Sequence, residues 1–407
     1  MLNTLKDADF TEKLVLLRAD LDVPLDDKTG EITDDSRLRA AVPTIKKILD
    51  DGAKQIIIMG HMDSPEGKVV KSLCMDKVAI RLMKLSGKNV FKLDDCINVK
   101  IPEPENEKIV LLENLRFHPE EEANDDAFAQ KLASYGDIYV NNAFATCHRA
   151  HASMHAITKF LPGCIGLQVE KELENLDFST MTRPIVALLG GAKLKTKIPI
   201  IQKMLVQADK VLIGGGMMFT FYAMQGLEIG KSLSDYNYAS NIKLMLYNEK
   251  LVLPKDVVIA DFETAGTGSE DSKAGAFVNQ AAGIRTVSFK EIPQKSIGLD
   301  IGEQGIEEFK QELRKANTII WNGPMGYYEK PPFDKATVEL AKMISDLDCK
   351  KIVGGGDTGD VINKLGLADK YTFVSSGGGA ALELLSGKKL VALEALEKNT
   401  KSGCGYG

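Results

Sequence analysis

Five apolar, strand-like runs in the second half of the chain each end in a glycine-rich or Asn-Gly turn: VALLGGAK (186–193), VLIGGGMM (211–218), TIIWNGPMG (318–326), KIVGGGDTGD (351–360) and TFVSSGGGA (372–380). Runs this continuously apolar are buried on both faces, as in a parallel sheet covered by helices. In such a sheet, ligands bind beyond the carboxyl ends of the strands. Glycine there lets backbone N–H groups and helix N-termini approach phosphate. Five such turns are more than chain reversal requires, and they point to a nucleotide site.

The first half has the same βα rhythm. LVLLRAD (14–20), QIIIMGH (55–61), NVFKL (89–93), KIVLLENL (108–115) and DIYVNNAF (137–144) alternate with helical stretches such as RLRAAVPTIKKILDDG (37–52). Its chemistry differs, because all five histidines (His61, His118, His148, His151, His155) and six of the nine arginines precede residue 160. Arginine forks suit bidentate recognition of carboxylate or phosphate, whereas close backbone approach suits a polyphosphate. The simplest reading is two anionic ligands, one per half. A length of 407 residues exceeds one usual core, so two α/β domains are expected. VEKELENLDF (169–178) reads as a charged connecting helix and Arg183-Pro184 as a boundary, after which the rhythm restarts at Ile185.

A net charge of −6 and a pI near 5.6 give no general attraction to nucleic acid or anionic membrane. No apolar run approaches the ~18 residues of a spanning helix, and MLNTLKDADFTEK carries acids where a signal peptide is apolar. A cytoplasmic protein without membrane or nucleic-acid partners is expected. The six cysteines (74, 96, 147, 164, 349, 404) are scattered and lack CxxC spacing, as in a reducing compartment. Gly and Tyr follow Cys404, which does not fit a prenylation signal.

Several motifs are decoys. Gly354, Gly356 and Gly359 match a dinucleotide fingerprint, but the next strand ends in Ser375-Ser376 rather than in an acid for the ribose. GLEIGKS (226–232) resembles a P-loop with Gln225 at the first glycine position. His148, His151 and His155 have metal-like spacing, yet Arg149 among them disfavours a cation and suits an anion cradle; His155 reads equally well as an ordinary polar residue at a helix start. Lys193 and Lys197 follow Gly190-Gly191 at i and i+4, so on a helix starting there both ammonium groups share one face. That face is either solvated or occupied by an anion, and cations at a helix start want an anion. Asp357, beside Thr358, is either a Mg²⁺ ligand or an N-cap.

Read together, RADLDVP (18–24), SRLRAAVPTI (36–45), LLENLRFHPEEE (111–122), NAFATCHRAHAS (142–153), LLGGAKLKTKI (188–198), IGGGMMFTF, WNGPMGYYE, GGGDT and SSGGGAALELL resemble the phosphoglycerate kinase family, in order along essentially the whole chain. The resemblance implies two Rossmann-like, three-layer α/β domains with parallel sheets joined by a helix and hinge. Residues 1–170 would bind 3-phosphoglycerate, 171–184 connect, 185–388 bind nucleotide, and 389–407 pack back on the first domain. By motif, the substrate side is Asp20, Asp22, Arg37, His61, Arg116 and Arg149. The nucleotide side is Gly191, Lys193, Lys197, Gly214, Gly215, Gly216, Asn322, Glu329 on the ribose, Gly356, Asp357, Thr358, Gly377, Gly378 and Gly379, with Asp357 on Mg²⁺. Arg37, Lys193 and Lys197 would be catalytic, hinge closure would join MgATP or MgADP to the acid, and a monomer is expected.

The departures concentrate on the substrate side. The family's RVDFNVP has Asn where this chain has Asp22, and its LGRP reads MDSP, so Ser64 replaces an arginine. NDAFGTA becomes NNAFATC (141–147), and Thr196 replaces an aspartate. A lost charge-assisted hydrogen bond costs about 1.5–3 kcal/mol, so Asp22 and Ser64 together weaken phosphoglycerate binding unless Arg18, Arg39 or Lys68 compensates. The expected reaction is reversible phosphoryl transfer between 1,3-bisphosphoglycerate and ADP, as in glycolysis and gluconeogenesis. It needs alignment and charge neutralisation but no general base. The alternatives are the same chemistry on another carboxylate, or a non-catalytic nucleotide-binding paralogue.

Overall fold

The computed structural model describes residues 2–26, 28–261 and 282–401; Cys404 lies outside them. The chain divides into two compact units, Met1–Glu174 with Lys389–Gly407, and Asn175–Lys388. The division falls inside the helix Leu167–Leu176, the charged connector of the sequence. Both units are α/β.

In the first unit, β1 (Leu14–Ala19), β2 (Gln55–Met59), β3 (Phe91–Lys92), β4 (Ile109–Leu111), β5 (Ile138–Asn142) and β6 (Gly163–Ile165) form a parallel sheet of order β3-β4-β2-β1-β5-β6. β2 and β5 are buried at every position because both faces are covered. β1 sits between β2 and β5: the connection from β1 runs to β2 on one side, and the connection from β5 runs to β6 on the other. The crevice at the carboxyl ends of β1 and β5 is thus a ligand position by topology. The segments that follow β1, β2, β4 and β5 carry all the substrate-side candidates, with Arg37 in the first turn of the helix Ser36–Asp50. The helix Val391–Lys401 also belongs to this unit: Ala392 N–H donates to the Cys147 carbonyl (3.1 Å) and Asn399 Nδ2 to Leu161 (2.7 Å).

Two expected strands are shorter than their apolar runs. NVFKL pairs only at Phe91–Lys92, and KIVLLENL leaves the sheet after Leu111. Beyond Leu111 the chain turns at Glu113, whose buried carboxylate accepts the N–H groups of Met75 and Asn114 at 2.8 Å each. Asn114 then caps the short 3₁₀ turn Leu115–Phe117.

In the second unit, β7 (Ile185–Leu189), β8 (Lys210–Ile213), β9 (Leu251–Val252), β13 (Thr318–Asn322), β14 (Lys350–Val353) and β15 (Phe373–Val374) form a parallel sheet of order β15-β14-β13-β7-β8-β9. Every glycine turn of the sequence leaves a carboxyl end of this sheet. A separate antiparallel sheet, β10 (Asp256–Asp261), β11 (Ala282–Ser288) and β12 (Ser296–Ile301), has the order β11-β10-β12. Among the described residues, no helix is long and apolar enough to cross a membrane.

Candidate active site

The basic cluster of the first unit starts from a buried charge. Arg18, inside β1, is fully buried; its Nε donates to Ser153 Oγ (3.0 Å) and its Nη2 lies 2.8 Å from His61 Nδ1. Ser153 in turn donates its hydroxyl to Glu121 Oε1 (2.6 Å) and its N–H to Oε2 (2.9 Å), so the Glu121 carboxylate is well bonded at zero exposure. A guanidinium has no lone pair, so Arg18 fixes His61 as the tautomer that accepts at Nδ1 and carries its proton on Nε2.

Around this frame, Arg37 Nη1 donates to the Asp22 carbonyl (2.8 Å) and lies 3.3 Å from Asp20 Oδ1. Arg116 Nη1 donates to the Asp63 carbonyl (2.7 Å) and lies 3.3 Å from Ser64 Oγ. Its Nε is 3.2 Å from Glu122 but out of line for a hydrogen bond, and its buried Nη2 meets no protein acceptor. Arg149 is exposed and its Nε contacts His148 Nε2 at 3.3 Å. Buried guanidinium donors without acceptors are rare in folded proteins, and an anionic ligand would supply the acceptor.

The electrostatics agree. Burial, then Arg18 and Arg116, hold the pKa of His61 well below its ordinary value. Burial and the same arginines push His151 down to about 3. Burial followed by Arg149 lowers Arg116, while burial raises the buried Asp20 carboxyl against the pull of Arg37 and Arg18. Neutral histidines among crowded guanidinium groups mark a site of positive potential. The three histidines with metal-like spacing form no metal-type cluster among the described residues, and His155 Nδ1 instead lies 3.2 Å from Asn124 Nδ2.

In the second unit, Lys197 and Lys193 part company. The helix Leu194–Gln207 begins after Lys193, which is its extended N-cap and is exposed. Lys197 turns inward, is 9% exposed, and its Nζ is bonded to Asn322 Oδ1. The shared face expected from i, i+4 spacing fails because Lys193 lies outside the helix. Asn322 Nδ2 reaches the Gly354 carbonyl, and Thr358 Oγ1 accepts the Gly323 N–H at 2.7 Å, so β7, β13 and β14 are tied at their carboxyl ends.

The cap reading of Asp357 fails. Gly355 is the N-cap of helix Gly356–Lys364, no side chain caps it, and Asp357 is exposed in the first turn. Its carboxylate, a hard oxygen donor beside the glycine loops, fits a magnesium ligand. Exposed Glu329 shares this edge with Tyr328, whose pKa is pushed up to about 12 by burial, then by Asp357 and Glu329.

The glycines divide into two kinds. A Cβ on Gly215 (φ +66°) would lie 2.4 Å from Gly191 N, and one on Gly190 would lie 2.1 Å from the Pro324 carbonyl oxygen. These glycines are required by loops packed against each other, which Gly191 N–H to Pro324 (2.8 Å) and Gly215 N–H to Met325 (2.8 Å) hold together. Gly356 and Gly378 face open space within 4 Å, as suits close approach by a ligand. Gly377 N–H donates to Ser375 Oγ (3.0 Å), and Gly379 opens the helix Gly379–Leu385.

Of the three basic residues considered as replacements for the missing arginine, Arg18 is buried in its own network. Arg39 is 60% exposed and paired with Asp35 at 2.7 Å. Lys68 is exposed on the loop of Ser64.

An arginine cluster at the carboxyl edge of one α/β unit and a lysine, glycine and carboxylate edge on the other define a two-unit kinase. The phosphoglycerate kinase family model matches residues 5–388. A chloroplastic phosphoglycerate kinase of Volvox carteri is 44% identical over 406 residues, covering 96% of this chain and 84% of that protein. A phosphoglycerate kinase of Gloeothece citriformis is 43% identical over 406 residues, 96% and 97% of the two chains. The solved phosphoglycerate kinase of Coxiella burnetii superimposes with a TM-score of 0.84 at 31% identity, covering 99% of this chain and all of that one (100%). The chain belongs to the phosphoglycerate kinase family.

Proposed function

We infer that the chain transfers a phosphoryl group reversibly between 1,3-bisphosphoglycerate and ADP, giving 3-phosphoglycerate and ATP. The observation that supports it most is the basic cluster of Arg37, Arg116 and Arg149 around a neutral His61, with the buried Arg116 Nη2 lacking a protein acceptor. The acid would be bound by Arg37, Arg116 and Arg149, with His61 Nε2–H as a neutral donor. Nucleotide phosphates would bind against Lys193, Lys197 and the open glycines Gly356 and Gly378, with Glu329 on the ribose. Mg²⁺ would be held by Asp357 and would neutralise phosphate charge.

Both acceptors are ionised at neutral pH, so no side chain need remove a proton in the transfer. The residues' task is alignment, neutralisation of the equatorial oxygens and exclusion of water. Arg37 and Lys193 would do the neutralising. Ligands carried on separate units must be brought into contact, which calls for closure about the 171–184 segment. A cytoplasmic monomer without nucleic-acid or membrane partners completes the reading.

The test is a coupled assay with MgATP and 3-phosphoglycerate, following NADH oxidation through glyceraldehyde-phosphate dehydrogenase. Turnover at millimolar or lower substrate supports the reaction. Its absence, with MgADP still bound, would favour another acid or a non-catalytic role.

A further inference from the structure

The basic cluster contains carboxylates of the wrong sign for an anionic ligand, and Asp22, which stands beside Asp20 on Arg37, is the one that also reaches the loop of Ser64. Asp22 Oδ2 lies 3.3 Å from Arg37 Nη1 and 4.0 Å from His61 Nε2, and Oδ1 accepts the Asp63 N–H at 2.9 Å. Asp63 has a left-handed backbone, φ +50°, which a non-glycine residue adopts only when its surroundings hold it. Its carbonyl is the acceptor for Arg116 Nη1 (2.7 Å), and the next residue places Ser64 Oγ 3.3 Å from the same nitrogen. One carboxylate therefore meets two arginines of the site, Arg37 directly and Arg116 through a single residue. Two of the departures from the family pattern, Asp22 and Asp63-Ser64, are bonded to each other.

A substrate carboxylate or phosphate that takes Arg37 as its partner must arrive within a few ångströms of Asp22. Like charges at that distance repel, and in a half-exposed site water only partly screens them. We propose that Asp22 is a built-in anion that occupies Arg37 and holds the Asp63-Ser64 segment on Arg116, so that it sets the affinity and charge preference of the phosphoglycerate site. This rests on the reaction inferred above. The competing role is purely structural, with Asp22 serving only as the acceptor that fixes the Asp63 loop.

Asp22→Asn separates the two roles, because its amide oxygen still accepts the Asp63 N–H while the charge is gone; Asp22→Ala removes both. Calorimetric titrations with 3-phosphoglycerate and, separately, MgADP are compared for the three proteins, alongside KM values from the coupled assay. Removal of one close like charge predicts about tenfold tighter 3-phosphoglycerate binding by Asp22→Asn, a parallel fall in its KM, and MgADP affinity within about twofold. The gain narrows as salt is raised. Unchanged or weaker phosphoglycerate binding by Asp22→Asn, with MgADP binding intact, overturns the proposal in favour of the structural role. If none of the three proteins binds or turns over phosphoglycerate while all three bind MgADP, the inferred reaction itself fails, and the proposal with it.

Discussion

The ammonium group of Lys197 is bonded to the side-chain carbonyl of Asn322, joining the first helix after β7 to the end of β13 inside the second unit. Burial lowers the Lys197 pKa to about 8, with only Asp357 opposing. Nucleotide phosphates favour the charged form, so MgADP affinity should fall as pH rises through about 8, by up to roughly tenfold per unit. Calorimetry at neutral and alkaline pH checks this. Lys197→Arg, which keeps its charge, should flatten the dependence. An unvarying affinity would place Lys197 away from the phosphates.

Lys193 differs in being exposed at the helix N-cap, where no side chain satisfies the first turn. A cation there gains nothing from the helix dipole, which favours anions. In the proposed reaction its task is to neutralise the phosphoryl group in transfer. Lys193→Ala should therefore reduce turnover by about two to three powers of ten, the scale of a lost transition-state donor, while MgADP binding largely survives. A steady-state assay showing unchanged kcat would remove Lys193 from the mechanism.

Much of this was legible in the sequence because the parallel strands announce themselves. Ile56 to Met59, Ile138 to Val140 and Val186 to Leu189 are apolar runs bounded by turns, and burial on both faces demands that composition. The antiparallel sheet of β10 to β12 is not legible in this way, because its strands carry no such continuous apolar run: β10 and β12 mix Asp256, Asp261, Ser296 and Asp300 with their apolar residues. Arg18 and Glu121 stand inside recognisable motifs, but their burial depends on Ser153, 135 residues from Arg18 and 32 from Glu121. Asp22 and Ser64 were visible as departures; that Asp22 bonds the residue before Ser64 was not. A glycine also reads the same whether a neighbouring loop or a ligand needs its space.

That last ambiguity has a direct test. In Gly215→Ala the new Cβ meets Gly191 backbone at a residue with φ +66°, so the variant should lose at least about 2–3 kcal/mol in urea unfolding. Gly356→Ala meets nothing within 4 Å and has no left-handed backbone, so stability should stay within about 0.5 kcal/mol. In the proposed nucleotide site its methyl group would nonetheless stand where phosphate oxygens approach, and the nucleotide KM should rise several-fold. Equal stability losses in the two variants would refute the division of the glycines.

Asp300 offers a test by pH. Its carboxylate is buried between β12 and the helix Lys335–Ser345, accepting the N–H groups of Ile301 (2.9 Å) and Ala336 (3.0 Å). Burial raises its pKa from 3.8 to about 7, outweighing those hydrogen bonds. Between these values the native chain keeps a proton that the unfolded chain has released, so this group makes stability fall as pH rises from about 4 to about 7. The slope approaches 1.4 kcal/mol per pH unit at most. Above about 7 both states are ionised and the slope vanishes. Asp300→Asn cannot titrate, so its urea-unfolding free energy should change less steeply than the wild type's across that window and run parallel above it. Parallel curves from pH 4 to pH 7 would mean that Asp300 ionises in the folded protein as readily as in the unfolded chain, and that its two backbone donors outweigh burial.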